Sequence, residues 1–161
     1  LHHLSMGQWQ RRYPDAALWA SPGLPRRRPE LCVRAVLDDE APAAWRGVID
    51  QVVMRGSVAV TEVVFHHRPS RTTLVCDLIQ KLDPEIATGI KGALLRANGL
   101  VGHRGGTPRD FRLTFLRRDD ARRARDAVLS WDTEQLVIAH GFWIRKDGGR
   151  VLRRDLAWLG E

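Results

Sequence analysis

Several short motifs that would assign an activity directly are missing from this sequence. The glycine-rich stretch Gly102–Gly106 lacks the Gly-Lys-Ser/Thr ending of a phosphate-binding loop, and neither a GxSxG serine turn nor an HExxH motif occurs. The two cysteines, Cys32 and Cys76, have no CxxC spacing. Because Cys76 lies in an apolar segment, we expect it to behave as a small buried hydrophobe, and we expect both thiols to be reduced in a cytoplasmic protein.

Long hydrophobic runs are also absent. No stretch approaches the roughly 20 apolar residues that a membrane span needs, and no leader resembles a signal peptide, so we expect no membrane partner. The 161 residues are enough for a core, and we predict a single domain over 1–161. The chain begins at Leu1 rather than Met, and we expect an N-terminal part of the fold to precede it.

The sequence is basic but contains few lysines. Its net charge is +7, yet lysine occurs only at positions 81, 91 and 146. Arginines concentrate in Arg26–Arg28 and Arg117–Arg125, a pattern that can bind nucleic acid or other anions. Asp119, Asp120 and Asp126 interrupt the second cluster, which indicates a helix face with ion pairs. Without interleaved aromatic residues or a known nucleic-acid module, we expect a small-molecule partner rather than nucleic acid.

Strand-like and helix-like segments alternate along the chain. Val48–Met54 and Val58–Phe65 are rich in β-branched residues and predict neighbouring strands, followed after a turn by a strand over Thr72–Cys76. Further predicted elements are helices over Leu4–Tyr13, from Asp83 to Asn98, over Asp119–Trp131 and over Val151–Leu159, and a strand over Leu136–Ala139. This mixed order predicts an α/β or α+β layered domain.

Two of the predicted strands end on residues that can bind a metal. Thr72–Cys76 is followed by Asp77, and the apolar run Leu136–Ala139 is followed by His140. A carboxylate and an imidazole at strand exits can meet in one cleft, and both are ordinary ligands of divalent metals. His2 and His3 offer a further imidazole before the first helix, although adjacent residues in an extended segment point in opposite directions.

Each of these residues also has a structural interpretation. Asp77 could cap the next turn, His140 could be a structural histidine, and His2-His3 could be disordered or the remnant of a tag. His66 and His67 could be ligands, but histidines of a turn or of the surface fit the pattern equally well. The metal-site hypothesis therefore depends on Asp77 and His140 reaching the same place.

With these residues in hand, the chain resembles the metallo-β-lactamase superfamily. More narrowly, it resembles a bacterial and plant family of that fold, a domain of unknown function. The resemblance is carried by Leu1–Leu4 with Trp9, Tyr13–Ala16, Ala20–Leu24, Glu62–Phe65, His67–Thr72, Asp77-Leu78, Trp131-Asp132 and Ala139–Gly141.

The resemblance implies an αβ/βα sandwich that holds one or two metal ions, usually zinc, at the edge of its sheets. It would place His2-His3 in the first histidine cluster, Asp77 at the bridging carboxylate and His140 at the last histidine ligand. The pattern departs from the superfamily in two ways. The first cluster has only His2-His3 and lacks the following Asp and His of the superfamily motif HxHxDH. The segment Met54–Val58, where the superfamily has a middle histidine, contains none. The site could therefore hold two metal ions, one or none. From the resemblance we also expect that the N-terminal half of the sandwich, including its first sheet, is not part of this sequence.

These observations lead to two functional hypotheses. The first is a metal-dependent hydrolase that uses a metal-activated water, with His2, His3, Asp77 and His140 as ligands and Asp77 also orienting the water. His67, Arg68 and Arg71 are candidate substrate contacts, the arginines from their charge alone. The alternative is a non-catalytic member of the fold that binds a ligand or a protein. Fewer than three converging ligands would favour the alternative.

Overall fold

The computed structural model describes residues 2–160, which contain six strands and six α-helices. The strands are β1 (Trp19–Ala20), β2 (Ala35–Val36), β3 (Ile49–Met54), β4 (Glu62–His67), β5 (Thr72–Gln80) and β6 (Gln135–His140). The helices are α1 (Met6–Arg12), α2 (Leu24–Arg27), α3 (Gly89–Ala97), α4 (Arg109–Leu113), α5 (Arg118–Ser130) and α6 (Gly148–Leu156). None of the helices within 2–160 combines the length and apolar character that a membrane crossing requires.

The main sheet has four strands in the order β3-β4-β5-β6. The first three strands are antiparallel neighbours, whereas β6 runs parallel to β5 after a connection that contains α3, α4 and α5. A separate pair is formed by β1 and β2, which lie parallel to each other. The parallel arrangement places the C-terminal ends of β5 and β6 at the same edge of the sheet.

The predicted strand over Val58–Phe65 is too long at its start, because β4 begins only at Glu62. The hydroxyl oxygen of Ser57 accepts hydrogen bonds from the backbone N–H groups of Ala59 and Val60, at 3.1 and 3.2 Å. This side-chain interaction folds the segment into a turn. The β-branched composition of Val58 and Val60 therefore did not produce a strand there.

One face of the main sheet packs against α5 and α6. The core between them contains Val64, Val75, Leu136 and Ile138 from the strands, and Val128 is among the helix residues that cover them. The opposite face is only partly covered. Phe65 pairs with Leu74 and Leu74 with Val137 on that face, and Leu74 is 40% exposed.

The ladder around β5 is interrupted at Asp77. Its pairing with β4 ends at Phe65–Leu74. On the other side, Val75 pairs with Ile138 and Gln80 with His140, so five residue steps of β5 lie opposite two of β6. Bulges of this kind redirect side chains and are common beside active sites. The bulge leaves Asp77 outside the regular alternation of the strand and close to the end of β6.

A buried ion pair fixes the end of this irregular region. The Lys81 ammonium lies 2.7 Å from a carboxylate oxygen of Asp155 on α6, and their side chains are 1% and 3% exposed. Lys81 also donates its backbone N–H to the carbonyl of His140 at 2.7 Å, and its ammonium donates to the carbonyl of Gly105. These bonds tie the end of β5 to β6, to the loop before α4 and to α6.

We expect Lys81→Met to lower the free energy of unfolding by about 3 kcal/mol, because breaking a buried ion pair leaves one charge uncompensated. This loss of stability is at the lower end of the range for broken buried ion pairs, because Arg154 still contacts the Asp155 carboxylate at 2.7 Å. The double variant Lys81→Met/Asp155→Leu should recover most of the loss. Urea unfolding of the three proteins measures this. A Lys81→Met protein as stable as the parent would contradict the assignment.

Candidate metal centre

Three predicted ligand residues meet at the edge of the main sheet. The Nε2 atom of His2 lies 3.2 Å from Oδ1 of Asp77 and 2.9 Å from Nε2 of His140. The Nε2 atom of His140 lies 3.0 Å from the same oxygen of Asp77. Three donor atoms from distant parts of the chain thus form a triangle. Their side chains are between 29% and 46% exposed, so the cluster faces solvent.

Each side chain reaches the triangle for an identifiable local reason. Asp77 lies in the bulge of β5, and His140 is the last residue of β6. His2 lies shortly before α1. Gly141 follows His140 because a Cβ at this position would come within 3.1 Å of the Lys81 Cβ and 3.2 Å of the Ile138 Cγ2. Gly141 therefore permits close packing beside His140, and its φ is not positive.

Hydrogen bonds cannot satisfy all three contacts of the triangle. An imidazole Nε2 either carries one proton or offers one lone pair. Two imidazoles and one carboxylate can therefore form at most two hydrogen bonds among these three atoms. Tetrahedral zinc with bonds of about 2.0–2.1 Å holds its ligand atoms roughly 3.3 Å apart, only slightly farther than the separations here. His2, Asp77 and His140 thus fit a divalent cation, which would satisfy all three contacts at once.

His3 takes a different position from His2. The Arg28 guanidinium lies 3.3 Å from the Nδ1 atom of His3 and donates a hydrogen bond to the His3 carbonyl at 2.6 Å. A guanidinium can only donate, so Nδ1 accepts in this contact and a neutral ring carries its proton on Nε2. A metal-binding histidine normally donates its second nitrogen to an acceptor instead. Of the two N-terminal histidines, His2 is the one that joins the cluster, and metal binding by His3 stays a prediction that this geometry does not support.

The predicted substrate contacts His67, Arg68 and Arg71 lie at the other end of the β4–β5 hairpin. His67 pairs with Thr72, five residues before Asp77, which corresponds to about 17 Å along a strand. Arg68 forms two hydrogen bonds with the Asp50 carboxylate at 2.6 and 2.7 Å. Arg71 pairs with Asp132 at 2.6 Å. None of the three is close to the cluster, so their role as substrate contacts stays a prediction that their position does not support.

His66, the other open candidate, has a structural environment. Its side chain is buried on the face of the sheet that packs on the helices, and its Nδ1 lies 3.0 Å from the Thr73 hydroxyl. Its ring also stacks on Trp131, with a distance of 5.4 Å between ring centroids. Burial lowers the pKa of His66, so the neutral ring is favoured.

Two residues near the cluster were missed by the sequence analysis. The Cys76 sulfur lies within 4.8 Å of ligand atoms of His2 and Asp77. Adjacent residues of a regular strand point to opposite faces, and the bulge is what lets Cys76 and Asp77 approach the same place. Burial, together with the neighbouring Glu62 and Asp77 carboxylates, raises the pKa of the Cys76 thiol to about 12.

Glu62, at the start of β4, is the second missed residue. Its carboxylate accepts hydrogen bonds from the backbone N–H groups of Cys76, Asp77 and Leu78 at 2.6, 2.7 and 2.7 Å. Burial raises the pKa of Glu62 to about 7, although the three N–H groups favour the ionised form. In the sequence it is only a polar residue before a β-branched run, and no spacing rule connects it to a residue 15 positions later.

Two cavities adjoin the cluster. The larger, of about 510 Å³, is lined by His2, Asp77 and Cys76 together with apolar side chains that include Trp19 and Phe65. The second, of about 470 Å³, has Asp77, Gln80 and Asn98 among its lining residues. Ala59, Val60 and Asp77 belong to both. The candidate metal centre therefore lies beside two cavities that share Asp77 and have mainly apolar linings.

Comparison with solved structures identifies the fold. Two structures of the DIM-1 metallo-β-lactamase, one of them exposed to ceftazidime, superpose on 96% of this chain with TM-scores of 0.54 and 0.53. The chain has a metallo-β-lactamase-like fold. The identities are 11% and 13%, and the chain spans 64% and 62% of the length of these lactamases, which is less than two thirds. The predicted fold class is thereby confirmed, with the chain covering only part of the fold of these neighbours.

At such identities the likeness concerns the fold alone. No protein-family model matches the chain, and no curated protein sequence is similar enough to count as a relative. The metallo-β-lactamase-like fold explains how the ends of β5 and β6 come together.

We expect Cys76 to be far less reactive than Cys32 in the folded, chelator-treated protein. Cys32 is exposed, whereas a thiol whose pKa is raised to about 12 holds almost no thiolate at pH 8. Alkylation with iodoacetamide at pH 8, followed by peptide mass spectrometry, gives both rates. In guanidinium chloride the two cysteines should react alike. Equal rates in the folded protein would show that the site around Cys76 is open and polar.

Proposed function

We propose that this protein is a metal-dependent hydrolase acting on a small molecule, with one divalent metal held by His2, Asp77 and His140. The main support for this proposal is the triangle of donor atoms, in which two imidazole nitrogens and a carboxylate oxygen lie 2.9 to 3.2 Å apart. The fold supports the proposal, because it is shared with metallo-β-lactamases. Zinc is the metal we favour, since imidazole and carboxylate ligands suit it.

The residues of the chain have separate tasks in this proposal. His2 and His140 would bind the metal as neutral imidazoles, and Asp77 would contribute one oxygen. Three protein ligands leave one position of a tetrahedral ion for water, the arrangement of catalytic rather than structural zinc sites. A bound divalent metal supplies an acidified water and polarises a carbonyl group. The second oxygen of the Asp77 carboxylate remains to orient that water.

The two cavities that share Asp77 support a small-molecule substrate. A bond to be cleaved can lie at Asp77 while the rest of the molecule occupies the space on either side. The apolar lining of the larger cavity favours a hydrophobic group there. We expect an ester, amide or thioester as the reactive group and a cytoplasmic location.

A second candidate is a metal-free ligand-binding domain of the same fold. Its support is that two of the three contacts in the triangle can be hydrogen bonds when the imidazoles carry protons on Nε2. The third, between the two Nε2 atoms, would then be repulsive. We therefore favour the metal site, and the zinc content of the protein separates the two candidates.

His140→Ala should remove nearly all bound zinc, because it takes away one of only three protein ligands. His67→Ala is the matched control: it removes another histidine at a strand end, one whose Nδ1 lies 2.7 Å from the Ser70 hydroxyl and which is far from the cluster. Its zinc content should stay near that of the parent. The measurement is elemental analysis of both variants and the parent, purified without chelator, with circular dichroism to compare their folds.

Hydrolase activity should disappear together with the metal in the His140 variant. Equal loss of zinc in both variants would make His67 a ligand and contradict the assignment. A parent protein that binds no zinc at all would favour the metal-free candidate.

A further inference from the structure

Glu62 has an unusual relation to the candidate metal centre. The residue is buried, with only 7% exposed, and within residues 2–160 its carboxylate forms no hydrogen bond with the side chain of His2, Asp77 or His140. Its carboxylate oxygens are instead bonded to three consecutive backbone N–H groups, and Asp77 is the middle one. A buried carboxylate is costly unless it is well hydrogen-bonded, and these three bonds supply that compensation.

The position of these bonds coincides with the break in the β-ladder. If the antiparallel pairing of β4 and β5 continued beyond Phe65–Leu74, the next partners of β5 would be the backbone of Val64, Val63 and Glu62. Instead β5 departs from β4, and the Glu62 side chain takes the place of the lost backbone acceptors. The carboxylate thus connects the start of β4 to the backbone of the bulge.

The arrangement of the bonds fixes the orientation of Asp77. One oxygen of Glu62 accepts from Asp77 and Leu78, while the other accepts from Cys76. Holding the peptide groups on both sides of Asp77 restricts the rotation of its backbone, and hence the direction of its side chain. The Asp77 carboxylate then lies within 3.2 Å of both His2 and His140.

We infer that Glu62 is a positioning residue that holds the bulge of β5 so that the Asp77 carboxylate faces His2 and His140. The inference rests on the proposed function for its consequence, since the consequence is a change in metal affinity. Outer groups that orient metal ligands commonly affect metal affinity 10- to 100-fold. Glu62 acts here through the main chain of the ligand rather than through its side chain.

The test uses Glu62→Gln in the full chain, because glutamine has the same shape but only one acceptor oxygen. Its NH₂ group must oppose at least one of the three backbone donors. We expect the affinity for zinc alone, measured by competition with a chromophoric chelator, to fall at least 10-fold. The visible absorption bands of the cobalt-substituted protein should also shift, because they report the geometry of the ligands.

Val64→Ala is the matched control for a loss of stability alone. Val64 is fully buried on the same strand, two residues from Glu62, and its apolar side chain cannot accept a hydrogen bond from the three N–H groups. It should lower the melting temperature while leaving zinc affinity and cobalt bands unchanged in the folded protein. The inference is overturned if Glu62→Gln behaves like Val64→Ala, with lower stability and unaltered metal binding.

Amide hydrogen exchange, measured by NMR without metal, separates this inference from the proposed function. Glu62→Gln should speed the exchange of the Cys76, Asp77 and Leu78 amides relative to both the parent and Val64→Ala. Faster exchange at these amides supports the positioning role, whether or not the parent protein binds zinc. A parent protein that binds no zinc would overturn only the proposed function. Unchanged exchange at all three overturns the inference whatever the metal result.

Discussion

The interruption of the ladder along β5 is the feature on which the candidate site depends. Up to Val75 the strand is a regular member of the sheet, and its side chains alternate between the helix-covered face and the opposite face. Beyond Val75 a regular strand would direct Cys76 and Asp77 to opposite faces. The bulge removes this constraint, and the Cys76 sulfur and the Asp77 carboxylate then lie within 4.8 Å of each other and of a nitrogen of His2.

Two buried charged residues stabilise this irregular backbone. Glu62 accepts hydrogen bonds from the backbone N–H groups at the start of the bulge. Lys81 holds the end of the bulge against β6 and α6. Uncompensated, either charge would be destabilising, and both are compensated by short contacts. An irregular strand with buried charges is less stable than a regular apolar one. Departures of this kind from regular apolar packing are common at functional sites.

Part of this site could be predicted from sequence because it follows from the order of elements. Asp77 and His140 each follow an apolar run, and parallel neighbours end at the same edge of a sheet, so their meeting was foreseeable. Glu62 and Cys76 could not be recognised, because their roles arise from a bulge that no local pattern indicates. Arg68 and Arg71 were proposed from charge alone. Their bonds with Asp50 and Asp132 depend on pairing between segments distant in sequence.

The central claim is that His2, Asp77 and His140 hold one metal ion. A crystal structure of the protein grown with zinc, with diffraction measured on both sides of the zinc absorption edge, tests it most directly. The account predicts one anomalous peak, about 2.0–2.1 Å from the two Nε2 atoms and from an Asp77 oxygen. A peak at other residues, or a zinc-free triangle in such crystals, would contradict it.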